Sequence, residues 1–291
     1  MTKPTGALKA IGLACLISAA NPAVSAALAA PSPSAASVPG APASLAYADV
    51  ADLVDGASLV AEARIARTVA LPPETTSPAP PGHRRLYVEA QVTALIRGDG
   101  GISPTISYLY DAPLDRRGKT PKLTKMPVLL FARPGTRPGQ IQLIARDAQI
   151  TATPAQVARV KAIVSDFVAP DAPPQVIGLG DAFHVAGTVA GEGETQIFLR
   201  TSNGEPVSLS ILRRPGQPPR WAVALGEIVD EAARPPEPGT LLWYRLACAL
   251  PPALPPRSTR SLSVHDAEAA RADYQLVLQA LGQCGRTRPA A

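Results

Sequence analysis

Proline interrupts this chain so often that few stretches run long enough for an extended helix. It supplies 33 of 291 residues, about twice the usual ~5% share, and each one fixes its own φ and removes a backbone donor. Aromatic residues contribute only 4%, so cores must be assembled from Val, Leu, Ile and Ala between rigid turns. Short strands suit that composition better than long helices.

The first residues have the layout of a secretory leader. Lys3 and Lys9 form its charged part, "AIGLACLISAA" (10–20) its apolar part, and "AVSAALAA" (23–30) supplies small residues, with cleavage expected after Ala26 or Ala29. The apolar run falls short of the ~20 residues a bilayer span needs, so residues 1–29 read as a removable signal peptide. No integral membrane segment is expected after cleavage. Cys15 follows "GLA", but Gly12 stands where a lipid-attachment signal carries a larger aliphatic residue, which argues against an anchor there. The expected location is the periplasm or the extracellular space.

Export has consequences for charge and for cysteine chemistry. Loss of Lys3 and Lys9 takes a net charge of +5 down to about +3, without the basic stripe that nucleic-acid binding requires. Cys15 leaves with the leader, so Cys248 and Cys284 remain and are expected to form one disulfide in an oxidising compartment.

Residues 30–44 are Pro, Ser and Ala with nothing to bury and read as a disordered tether. A β domain with one packed helix is expected over 45–168. Its strands are "SLVAEARIARTVAL" (58–71), "RRLYVEAQVTALIRG" (84–98), "TISYLYD" (105–111), "MPVLLFAR" (126–133) and "QIQLIAR" (140–146). A short helix precedes them at 44–58. The helix at 153–170 starts with Thr153 as cap, Pro154 at the first helical position and Gln156 closing a capping box.

The Pro-rich stretch 169–175 reads as a linker. A second antiparallel domain is expected over 176–285, with strands "DAFHVAGTVA", "TQIFLRTS", "PVSLSIL", "RWAVALGEIV" and "TLLWYRLAC". A three-residue Ser202-Asn203-Gly204 loop would pair Leu199 with Val207 and Ile197 with Leu209, apolar with apolar. The helix at 263–282 is capped by Ser263 and is expected to be tied by Cys284 to Cys248 on the strand "LLWYRLAC"; residues 286–291 form a tail.

The chemistry-bearing residues are scattered. His83, His184 and His265 lie far apart, with no HExxH and no zinc spacing of cysteines, so no metal and no cofactor are expected. There is no GxSxG elbow, and "SVHD" (263–266) is explained by helix capping rather than by a triad. His184 alternates away from Phe183 and Val185 and so reads as an exposed, polar-face residue. Neither "GLGDAF" nor "GEGETQ" has the context of a phosphate cradle.

The loop "LDRRGKTPKLTK" (114–125) carries Arg116, Arg117, Lys119, Lys122 and Lys125 against Asp115. These five residues are the candidate binding site, for an acidic protein or an anionic envelope component. The tip "RRPGQPPRW" (213–221) sets Arg213, Arg214 and Arg220 beside Trp221, which reads as core.

The segments "ADLVDGASLVAEARI", "YVEAQVTALIRGD" and "MPVLLFAR" follow one another in an order that resembles the netrin-like, tissue-inhibitor-of-metalloproteinase class of exported OB-type domains, over residues 45–150. That resemblance implies a small barrel with an extracellular binding or protease-inhibiting role. The class's inhibitory N-terminal cysteine has no counterpart here, so no functional residue carries over.

The fold class expected is therefore mainly β with a few helices: a small OB-like barrel or sandwich, then an antiparallel β domain with a C-terminal helix. The expected function is non-catalytic binding in the envelope or periplasm. The alternative is a hydrolase whose site gathers Asp181, His184, Glu192 and Glu194.

Overall fold

The computed structural model describes residues 45–72, 78–226 and 234–288. The expected leader, its cleavage sites, the tether and residues 227–229 of the expected strand at 220–229 lie outside the described residues. Ser44–Ala291 forms one compact unit, mainly β, with two antiparallel sheets and four α-helices among the described residues.

The chain opens with α1 (Tyr47–Gly56), then β1 (Leu59–Ala70), β2 (His83–Arg97), β3 (Thr105–Pro113), β4 (Pro127–Pro134), β5 (Ile141–Leu143) and β6 (Gln149–Thr151). These strands make a sheet of order β3-β2-β1-β4-β5, with β6 also paired to β4. Expected strand 140–146 is therefore only three residues long, and β6 was not foreseen. The chain turns at 145–148, where the Ala148 amide donates to Ala145 O at 3.2 Å, so β5 and β6 share the edge of β4. The sheet curls until β3 meets the segment before β5 at one parallel bridge, Ser107 with Gln140, without closing into a barrel.

Inside the curl, Ile65, Leu86, Val88, Ile106, Tyr108 and Leu130 form one core. The opposite faces of β1 and β4 are also covered: Val60, Leu129 and Phe131 join a second core with α1 and α2 (Pro154–Val168). Burial on both faces is why "VLLFA" reads as an unbroken apolar run rather than an alternating one.

That second core continues across 169–175 into the sheet β10-β9-β8-β7, formed by β7 (Val176–Ala186), β8 (Gly193–Thr201), β9 (Val207–Arg213) and β10 (Arg220–Ala224). Ile197, Leu199, Leu209, Ile211, Trp221 and Val223 belong to it. The turn register is the one the apolar faces demand, Leu199 opposite Val207 and Ile197 opposite Leu209. Gly204 takes φ +78°, which a glycine adopts without a steric penalty.

The segment "TLLWYRLAC" corrects the sequence reading, because it is helical: α3 spans Leu241–Ala247. A short run that is apolar nearly all round carries no decisive period, and in the structure Thr240 caps the helix it forms. Thr240 Oγ1 accepts the Trp243 amide at 3.3 Å. Leu241, Trp243, Tyr244 and Leu246 are buried, and Cys248 stands at the helix end rather than on a strand face.

The last helix, α4 (Val264–Leu281), is capped by Ser263, which accepts the Asp266 amide. Its buried stripe is Ala267, Ala270, Asp273, Tyr274, Val277 and Leu281, whereas Val264 is exposed. The Cys248–Cys284 disulfide joins the ends of α3 and α4, and the Trp243 indole donates to Leu281 O at 2.9 Å beside it.

Residues 286–288 do not behave as a tail. Arg286 makes a two-pronged ion pair with Asp52 at 2.7 and 2.8 Å, and Arg288 another with Asp147, both at 2.6 Å. The Thr287 and Arg288 amides donate to buried Asp49 at 2.9 and 3.0 Å.

Candidate binding cleft

Where the first sheet fails to close, it leaves a cleft of about 710 Å³ between β3 and β5. This lies within the ordinary size of ligand sites, roughly 300–1,000 Å³. Its walls are the two free sheet edges, with Tyr108 and Leu109 on one side and Gln140 to Leu143 on the other. Pro134, Gly135 and Thr136 form the rim.

The hydrogen-bond phase of each edge follows from its inner partner. Val92 donates to Pro104 O at 2.8 Å and Leu114 to Gly82 O at 2.8 Å, so in the register of β2 with β3 the even-numbered residues of β3 bond inward. The odd-numbered ones face outward: Ser107 donates to Gly139 O at 2.8 Å, and Leu109 and Asp111 follow in the same phase. On β5, Gln140 O accepts from Gly135 at 2.7 Å and Ile144 donates to Phe131 O at 3.1 Å. Ile141 and Leu143 therefore present their N–H and C=O groups to the cleft. Two ladders thus face each other across one opening.

The lining mixes polar and apolar side chains, and part of it is fixed. Tyr108 is buried, and its hydroxyl donates to Gln149 Oε1 at 2.7 Å; burial pushes its phenol pKa upward. Leu109, by contrast, leaves 47% of its surface to solvent. At the far end, Arg85 grips Asp111 through two bonds of 2.7 and 2.8 Å. That guanidinium holds the Asp111 carboxyl below the ordinary carboxylate range. Arg146 completes the lining there.

The five basic residues read from the sequence lie beside this cleft in the chain but do not line it. Arg116, Arg117, Lys119, Lys122 and Lys125 are all exposed in the loop that leaves β3 after Pro113. Asp115 folds the loop tip by accepting the Arg117 and Lys119 amides, both at 2.8 Å. None of the five side chains forms an ion pair among the described residues.

His184 corrects a second expectation. Phe183 and Val185 are the exposed residues, at 50% and 69%, and His184 points to the covered side of β7, half-buried. Its Nδ1 lies 2.8 Å from Thr195 Oγ1. The Thr195 hydroxyl donates to Asp273 on α4, so the histidine Nδ1 is the donor to Thr195. Arg213 completes the chain, donating its Nε to Asp273 at 2.5 Å.

The alternation rule fails at β7 because register shifts fall between Val176 and Gly178 and between Leu179 and Ala182. The apolar side chains beyond them turn outward, and Phe183 meets Phe198 edge to face at 5.9 Å. Asp181, Glu192 and Glu194 are exposed, and neither they nor His184 line the cleft between β3 and β5. No group of three or more His, Cys, Asp or Glu side chains there is arranged to hold a metal. Thr195 and Asp273 are fully buried and make a polar strut between α4 and the sheet.

No protein-family model matches the chain, and no curated protein matches it significantly.

Proposed function

We propose that this chain is an exported, non-catalytic binding protein that captures an extended polypeptide segment between β3 and β5. The observation that carries the reading is the pairing of two outward-facing backbone ladders, Leu109 and Asp111 against Ile141 and Leu143, across one cleft. Strand addition draws affinity from main-chain hydrogen bonds and specificity from pockets for alternate side chains, and this cleft offers both. The leader-like N-terminus supports export. The netrin-like order of segments over 45–150 supports a binding role over a catalytic one.

The test uses peptides selected from a random library against the full mature chain. Leu109→Pro removes an N–H that faces the cleft and leaves the bonds of β3 to β2 intact. Capture that Leu109→Pro abolishes, with the fold unchanged by circular dichroism, supports the reading. Capture that is indifferent to this substitution sinks it.

A further inference from the structure

The wide end of the cleft carries an unequal charge. Arg85 and Asp111 are ion-paired through two bonds, and their side chains are mostly covered. Arg146, which follows β5 on the other side of the cleft, is close enough to Asp111 to act on it electrostatically, and makes no hydrogen bond or ion pair among the described residues. Among the described residues the Asp111 carboxylate accepts from Arg85 through both oxygens and is not hydrogen-bonded to Arg146. A guanidinium offers five donors in a planar fork, and Arg146, exposed at the mouth of the cleft with no protein partner among the described residues, favours a carboxylate there. The loop bearing Arg116, Arg117 and Lys119 leaves β3 at this same end, two residues after Asp111, and adds positive potential without competing for Arg85.

Resting on the strand-addition reading, we infer that the cleft selects segments bearing a carboxylate at the end that lies against Arg146. An aspartate or glutamate side chain and a free C-terminus share that chemistry. Backbone pairing with β3 and β5 fixes the register of the segment, and Arg146 fixes which end enters the wide mouth. Binding then combines a sequence-tolerant ladder with one charge-specific anchor, and the basic loop makes its on-rate sensitive to salt.

The experiment pans a random peptide library against the full mature chain and against its Arg146→Gln variant. Two arms separate the sources of the carboxylate: each selected peptide is resynthesised with Asp or Glu changed to the amide residue, and separately with its C-terminus amidated. One of these changes is expected to weaken binding to the wild-type chain by about tenfold or more while barely affecting binding to Arg146→Gln. Peptides that protect the Leu109 and Leu143 amides from exchange but show no carboxylate preference would overturn this inference and leave strand addition standing. If no peptide is captured, or none protects those amides, the strand-addition reading falls and this inference falls with it.

Discussion

The Ser107 amide donates to the Gly139 carbonyl at 2.8 Å, and beyond this bond β3 and β5 part to open the cleft. Gly139 holds φ +73°, and a Cβ placed on it would stand 3.1 Å from Thr105 O. Both the backbone conformation and the close approach require glycine here. Gly139→Ala is therefore expected to cost about 1–2 kcal/mol and to speed hydrogen exchange at Ser107. Urea denaturation with amide exchange measures both. An unchanged Ser107 amide would show that the hinge of the cleft lies elsewhere.

The strut from α4 to the second sheet predicts an asymmetry. Asp273 is fully buried, whereas the Arg213 side chain keeps 35% of its surface in solvent. Arg213→Ala leaves a buried carboxylate with Thr195 as its remaining partner and is expected to cost about 3 kcal/mol. Asp273→Ala leaves a guanidinium that reaches water, at a cost of about 1–2 kcal/mol. Equal losses in chemical denaturation would contradict this account of the pair.

Cys248 and Cys284 lie 36 residues apart. Closing a loop of that length in the unfolded chain corresponds to about 4 kcal/mol by chain entropy. A Cys248→Ala, Cys284→Ala double variant should lose roughly 2–4 kcal/mol, and adding reductant to it should change nothing further. Thermal melts with and without reductant decide the point.

The anchor of residues 287–288 responds to acid. Burial pushes the Asp49 carboxyl pKa up, but the Thr287 hydroxyl and the amides of Arg288, Thr287 and Ala46 outweigh it, and the group titrates below its ordinary value. A lowered native pKa stabilises the fold fully above the unfolded value of about 3.9, and that contribution is lost as pH falls through the native one. Asp49→Asn should be less stable than wild type by about 1–2 kcal/mol near neutrality, with the gap closing below about pH 4. A gap independent of pH would mean that the carboxylate's charge does not hold the C-terminal residues.

Elements whose pattern was unambiguous were legible in the sequence. The alternation around Leu86, Val88 and Ala90, the Thr153 and Ser263 caps, and the loop at Gly204 each follow from one local rule. The Cys248–Cys284 pairing was read from the expected compartment and the cysteine count. What could not be read depended on distant partners. Whether "LLWYRLA" coils or extends turns on its packing with α4, and the outward turn of Phe183 follows from register shifts in β7. The cleft left no signal at all, because an unclosed sheet is a relation between Ser107 and Gly139 rather than a motif. Asp273 is the one missed residue that carried a cue, a charge set in the middle of an apolar helical stripe.

The most direct test of strand capture is amide hydrogen exchange on the full chain, free and with a library-selected peptide. The account predicts that Leu109, Asp111, Ile141 and Leu143 exchange fast in the free protein and become protected together in the complex, while the even-numbered amides of β3, already bonded to β2, change little. Protection confined to the 114–125 loop, or spread without that alternation, would contradict it.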